Sequence, residues 1–314
     1  MDGVLIIDKP AGMTSHDVVA RIRKITGHRR VGHTGTLDPF ATGVLVVLVG
    51  RATRLARFLS GAEKEYEAVI RLGYATDSGD VTGTRVPNFT TETLRSTEFH
   101  KEEIESAMVA LRGEIKQIPP MFSAKKVAGR KLYELARRGE QVERQPVRVK
   151  ISEFATLNHG GALLKENDDG TQDLRVRVVC SAGTYIRTLA EDFGKQLGLG
   201  AHVAELRRTR AGEFKIGDAI TLERLNQVVQ SGSIEEVLLS PDAALSQLPS
   251  FELSTESARR VGQGIDLQVE EAQRMQWPSG QQVRLRDSDG QLIAVGIYDA
   301  EQQTLHPQVV IVSV

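Results

Sequence analysis

The sequence predicts an α/β protein, α+β in the order of its elements, followed by a small β module. Three observations predict it. Apolar or alternating runs of strand length interleave with capped, helix-periodic segments over roughly the first 230 residues. Ser240-Pro241-Asp242 and Leu248-Pro249-Ser250 then punctuate the chain, and Gly-separated strand patterns follow. Charge also changes sign: residues 1–60 hold nine Lys or Arg against four Asp or Glu, whereas residues 251–314 hold five against nine. The expected domains are therefore 1–248 and 249–314. No repeat of 20–50 residues is present.

The elements are expected in this order. Residues 3–8 read as a buried strand and 9–13 as a turn. Thr14 or Ser15 caps a helix with Asp17 in its first turn. Val18, Val19, Ile22 and Ile25 form its apolar face, and Gly27 ends it. A Gly-rich loop over 32–43 leads into 44–49, an unbroken apolar run covered on both sides. A short helix at 53–59 and an alternating strand at 64–72 come next. Residues 77–80 turn, and 85–98 are polar without a clear element. A helix over 101–111 precedes a break at 118–126 and a short helix at 131–138.

Strands at 147–154 and 174–180 flank a Gly-, Asn- and Asp-rich tip over 158–173. The turn 181–184 opens a helix whose buried stripe is Ile186, Leu189, Ala190, Phe193 and Leu197, with Gly198 at its cap. Residues 204–210 read as a basic cluster, 214–216 as a strand, and Thr221 caps a helix reaching Val229. The C-terminal module has a helix at 254–261 and strands at 283–286, 292–298 and 309–312.

Composition excludes several classes. Apolar residues are 40% and charged residues 26%, as in soluble domains, and the net charge is −1. Two local patches depart from neutrality: +5 over 1–60, and +6 over 121–150, where nine Lys or Arg face three Glu. Basic patches on a neutral chain suit a polyanion held on one face. The single cysteine, Cys180, excludes an internal disulfide and a thiolate zinc cluster, and it ends an alternating run as a core residue would. Asp2, Asp8 and the lack of a long apolar region argue against a signal peptide. No apolar run reaches the ~18 residues that cross a bilayer, so a cytoplasmic protein with no membrane partner is expected.

The chemistry centres on the loop at 32–43. Pro39 fixes its own φ and pushes Asp38 toward an extended conformation, which displays one carboxylate on a stiff turn. Arg29, Arg30 and His33 precede it, and nearby cations favour the charged, nucleophilic form. On spacing alone the plainer reading is that Asp38 opens a turn. Tyr66 shares a strand face with Ala68 and Ile70 and reads as a core aromatic. Tyr185 and Arg187 lie in the first turn of a helix, where the dipole disfavours a cation unless an acidic partner offsets it. Residues 118–138 combine basic side chains with Phe122 and Tyr133, which suits a flap over a polyanion backbone.

Four segments in this order resemble the bacterial tRNA pseudouridine-55 synthases: residues 8–16, the loop 32–43, the Tyr66 strand and residues 180–189. The resemblance covers roughly 3–250. It implies a pseudouridine-synthase fold on a curved, mostly antiparallel mixed sheet with flanking helices. A thumb-like insertion would lie at about 117–145, and the tail resembles a PUA-type RNA-binding module. It also implies roles. Asp38 would be the nucleophile, with Arg187 holding it ionised and oriented. Tyr66 would stack on the target base and take part in proton removal at C5. His33 would help hold the flipped RNA, Tyr185 and Leu206 would line the uridine pocket, and Lys9 and Pro10 would support the loop. The expected partner is the T-arm of tRNA, bound by a monomer without a protein partner.

Isomerising uridine changes no oxidation state and activates no water, so neither cofactor nor metal is expected. Two alternatives stand beside this reading: a non-catalytic RNA-binding or tRNA-folding module, and a guide-RNA-dependent synthase subunit. A hydrolase built on Thr14-Ser15-His16-Asp17 is set aside, because those neighbours fit a helix cap.

Overall fold

The computed structural model describes residues 1–86, 101–123, 125–127, 129–136, 138–140, 142–157, 162–269 and 277–312. Most of the polar stretch 85–98 and part of the tip at 158–173 lie outside them. A ten-stranded sheet carries the fold. β1 (Gly3–Lys9) enters it, and α1 (Ser15–Thr26) packs on its face. Thr14 accepts from the Asp17 amide while Asp17 accepts from the Thr14 amide, a reciprocal cap that satisfies two helix-start donors. Gly27 ends α1 in the left-handed region.

β2 (Val31–Thr34) and β3 (Thr42–Val49) follow as an antiparallel pair. Seven of the eight β3 residues are buried, and the Val and Leu side chains among them contribute about 1.5–3 kcal/mol each. A 3-10 turn (Gly50–Leu55) and α2 (Ala56–Leu59) lead to β4 (Lys64–Leu72). Then come α3 (Lys101–Val109), β5 (Gly113–Gln117), the small ribbon β6 (Lys126–Val127) and β7 (Arg130–Lys131), and α4 (Leu132–Ala136). β8 (Val147–Thr156), β9 (Leu164–Glu166) and β10 (Gln172–Cys180) run into α5 (Ile186–Gln196), β11 (Ala201–Ala211), β12 (Phe214–Lys215) and α6 (Leu222–Ser231).

The strand order is β1-β3-β11-β4-β10-β8-β5, with β2, β9 and β12 paired alongside. Every pairing is antiparallel except β3 with β11, so the α/β, mostly antiparallel mixed sheet holds. That one parallel contact sets Thr42 and Gly43 beside Arg207 and Arg208. Gly43 has φ +100°, and a Cβ there would sit 2.2 Å from the Arg208 carbonyl oxygen, so only glycine closes this seam.

From Ser250 a five-stranded sheet is built, ordered β13 (Ser250–Glu252), β15 (Gln282–Arg286), β16 (Leu292–Asp299), β17 (Thr304–Val310) and β14 (Leu267–Gln268). α7 (Thr255–Gly262) covers it. Leu292, Val295 and Ile311 join a core with Val4, Val44 and Leu48, and Arg284 pairs with Asp242, so this sheet packs on the main one.

β2, β5 and β11 are the longest of the strands that form where the pattern predicts none. β2 takes the first residues of the expected loop. β5 is a mostly polar edge strand on β8, where one covered face leaves little apolar signal. β11 runs through the expected basic cluster, whose alternation is broken by register shifts at 203–205 and 208–210. Its arginines are not a free surface patch. Arg207 pairs with Asp8, Arg210 pairs with Glu63, and Arg208 is buried. At the C-terminal end the last strand starts at Thr304, five residues before the expected 309.

Candidate active site

Asp38 sits in the turn between β2 and β3, and three elements grip that turn. The buried Ser15 hydroxyl accepts from the Leu37 amide at 2.9 Å and donates to its carbonyl at 3.2 Å. The Gly12 amide donates to the Pro39 carbonyl at 2.8 Å. Lys9, fully buried, donates to the carbonyls of Met13, Pro10 and Pro39 at 2.7, 2.8 and 3.3 Å. Contacts from residues 9–15, more than twenty positions earlier, thus hold the carboxylate on a rigid turn rather than a loose loop.

Arg187 approaches from the start of α5. Nε lies 2.9 Å from Asp38 Oδ2 and Nη2 donates to Oδ1 at 3.0 Å, a two-pronged, charge-assisted pair. The guanidinium is fixed on its other sides by the Ser78 carbonyl at 2.9 Å, the Phe122 carbonyl at 2.8 Å and Asp80 at 3.5 Å. The Asp38 side chain is 31% exposed and that of Arg187 only 4%, so the acid faces the cavity and the cation backs it. Burial pushes the Asp38 carboxyl above its ordinary value; Arg187 opposes this, Asp80 adds to it, and Lys9 opposes it.

The expected cations do not surround Asp38. Arg30 is engaged with Thr53. Burial, with His16 and Arg208 nearby, pushes His33 down to about 4, so its ring is neutral at physiological pH. The cations that act on Asp38 are instead Arg187 and Lys9, far away in sequence.

A cavity of about 280 Å³ is lined by Asp38, Tyr66, Tyr185, Arg187 and Leu206, together with Lys64, Ser123 and Arg208. Five of the six sequence-predicted residues thus meet in one chamber. His33 stands behind it, with its ring edge-on to His16 at 5.4 Å. His16 lines an adjoining cavity of about 620 Å³ that shares Asp38, Ser123 and Arg187 with the first. Tyr66 is buried, and burial raises its phenol, so it presents a neutral aromatic face. Tyr185 caps α5, its amide donating to Gln117 Oε1 at 3.0 Å, which anchors the segment after β5. The Tyr133 side chain lies outside the described residues. Cys180 is buried and pushed up to about 11, an inert thiol.

Sequence reading missed Asp80, Ser15, Lys64 and Arg208. Asp80 lay in a segment read as a plain turn. The signal was the pair Ser78 and Thr82 flanking it, placed to bond its carboxylate. Arg208 lay among other charges and gave no signal of burial, whereas the signal for Lys64 was its place on the Tyr66, Ala68 and Ile70 face of an alternating strand.

The arrangement offers a clamped carboxylate, an aromatic platform and a wall of cations around a nucleoside-sized space, which suits addition of a carboxylate to a flat electrophile. A family model described as TruB family pseudouridylate synthase (N terminal domain) matches residues 23–186. Another, described as tRNA pseudouridylate synthase B C-terminal domain, matches 187–246. The boundary between them falls inside α5, so it is not a structural one. The chain is 43% identical over 270 residues to tRNA pseudouridine synthase B of Bacillus thuringiensis (strain Al Hakam), covering 86% of this chain and 85% of that protein. It is 44% identical over 269 residues to tRNA pseudouridine synthase B of Geobacillus thermodenitrificans (strain NG80-2), covering 86% of each. A solved Cbf5-Nop10-Gar1 complex contains a chain similar at TM-score 0.74 and 29% identity, over 99% of this chain and 85% of that one.

Proposed function

This chain belongs to the TruB family of pseudouridylate synthases, and from that premise we propose that Asp38 is the nucleophile that converts a T-loop uridine of tRNA, at position 55, to pseudouridine. The observation that carries the assignment is the two-pronged Arg187 clamp on a carboxylate that opens into a cavity. The enzyme is an isomerase acting on uridine in tRNA.

A cavity of about 280 Å³ falls just below the ~300–1,000 Å³ of sites for drug-sized ligands and suits one nucleoside, not a helical stem. The target base therefore leaves its stack before reaction. Tyr66 supplies the stacking face, and proton removal at C5 takes place against it. Tyr185 and Leu206 close the pocket. The neutral His33 ring, behind His16, supports flipped nucleotides beside it. Lys9 and Pro10 hold the Asp38 turn. Attack at C1′ of the ribose and attack at C6 of the ring both begin from the same clamped carboxylate.

The thumb-like segment at about 117–145 touches the site through Phe122 and Ser123 and is read as the RNA-closing element. Residues 1–248 form the catalytic domain, and 249–314 a PUA-like module that extends the RNA-binding surface. The protein works as a monomer on tRNA alone, in the cytoplasm. Among the described residues no helix is long and apolar enough to cross a membrane.

Tritium release from bare tRNA transcript carrying 5-labelled uridine tests the reading. Release by the purified chain is expected. No release would favour a binding module, and release only on adding a guide RNA would favour a guide-dependent subunit.

A further inference from the structure

Three cations are buried around the Asp38 turn and the reaction cavity. Lys9 is 0%, Arg208 1% and Lys64 6% exposed. Lys64 and Arg208 line the chamber itself. A Cβ built on Gly35, another lining residue, would lie 3.6 Å from Arg208 Nη1 and 3.8 Å from Lys64 Cε, so the two side chains flank one point on the wall. Arg208 donates to the Val44 carbonyl at 2.7 Å and the Gly35 carbonyl at 3.0 Å, and it reaches the Tyr66 hydroxyl. Among the described residues it has no carboxylate within salt-bridge distance, unlike its neighbours Arg207 and Arg210.

A buried, unpaired guanidinium is costly, and an arginine does not shed its proton to escape the cost. The two lysines yield in part. Burial, with Arg208 contributing, pushes each down to about 8. Asp38, the acid nearest the cavity, is already clamped by Arg187. The chamber therefore carries positive charge that no protein group in it neutralises.

We propose that Arg208 is a further catalytic residue, the fixed cation that receives the negative charge the uracil ring takes on during isomerisation. The inference rests on the function proposed above. When Asp38 bonds to C1′, the C1′–N1 bond breaks and its electron pair leaves with the base. The aspartate becomes a neutral ester, and the free uracil carries −1 over N1, O2 and O4. C5 then attacks C1′ and re-expels the carboxylate, the C5 proton leaves, and one proton returns to N1. Attack at C6 instead places the same charge on O4. Either route moves the negative charge from Asp38 onto the ring, a place in the chamber where the resting enzyme has none. A preorganised donor aimed at developing charge is worth roughly 10²–10³-fold in rate.

The test is single-turnover conversion of a T-arm hairpin RNA carrying uridine or 5-fluorouridine at the target position, by the full-length chain. Loss of the target nucleoside is read by mass spectrometry. Wild-type turnover of the uridine RNA comes first, and its failure would count against the proposed function instead. Arg208→Gln should slow the uridine RNA by about 10²–10³-fold with RNA affinity within about threefold. Fluorine stabilises the uracil anion, so the 5-fluorouridine RNA should show a deficit at least about tenfold smaller. Arg208→Lys, which keeps the charge, should fall between wild type and Arg208→Gln. Equal deficits on both RNAs, a loss confined to RNA affinity, or Arg208→Lys as slow as Arg208→Gln would overturn the proposal. If Arg208→Gln does not fold, the substrate comparison is made on Arg208→Lys, where equal deficits again overturn it.

Discussion

Replacing Arg187 with lysine isolates the clamp on Asp38. The guanidinium spans both carboxylate oxygens at 2.9 and 3.0 Å while holding Ser78 and Phe122. A single ammonium keeps the charge but at most one of the two prongs. One charge-assisted hydrogen bond is worth roughly 1.5–3 kcal/mol. At about 1.4 kcal/mol per decade, the rate should fall about 10- to 150-fold. Arg187 also holds the Asp38 carboxyl down against burial and Asp80. Loosening it lets that carboxyl rise further, so the acid limb of the pH–rate profile moves to higher pH. Single-turnover pseudouridine formation on a T-arm hairpin across pH 4–8 reads both effects. A wild-type rate with an unmoved acid limb would refute the clamp.

Other consequences follow from the same geometry. Lys64 is charged in both folded and unfolded chains below about pH 8, where its burial cost is fully present. Between about 8 and 10.5 the folded chain has released the proton and the unfolded chain has not. Stability of wild type relative to Lys64→Met should therefore rise with pH across that window, by up to about 3 kcal/mol in denaturant melts. Gly43→Ala places a methyl 2.2 Å from the Arg208 carbonyl at φ +100° and should cost more than about 3 kcal/mol, seen as a large fall in melting temperature. Thr14→Ala removes half of the reciprocal cap on α1 and should cost about 1 kcal/mol with little change in rate.

The parts of this fold that announce themselves in sequence are those with one strong local cause. β4 and the cap at Thr14 follow from alternation and from capping chemistry, and both stand where the pattern puts them. Asp38 was visible because Pro39 and the glycines stiffen its turn. Arg187 stood out as a cation at a helix start, and the reason, an acid 149 residues away, is visible only in three dimensions. β5 and β11 were illegible for opposite reasons: one is a polar edge, and the other is Arg-rich and irregular in register. Arg208 shows the limit most sharply. Between Arg207 and Arg210 in sequence it looks like a solvated charge, yet strand alternation turns it into the core opposite Tyr66.

The most direct test is Asp38→Asn, which keeps the shape and one of the two acceptors for Arg187 but removes the attacking charge. Nucleotide mapping of tRNA treated with wild type should find one new pseudouridine, in the T-loop, and none with the variant, while both bind tRNA alike. Undiminished modification by Asp38→Asn would contradict the assignment.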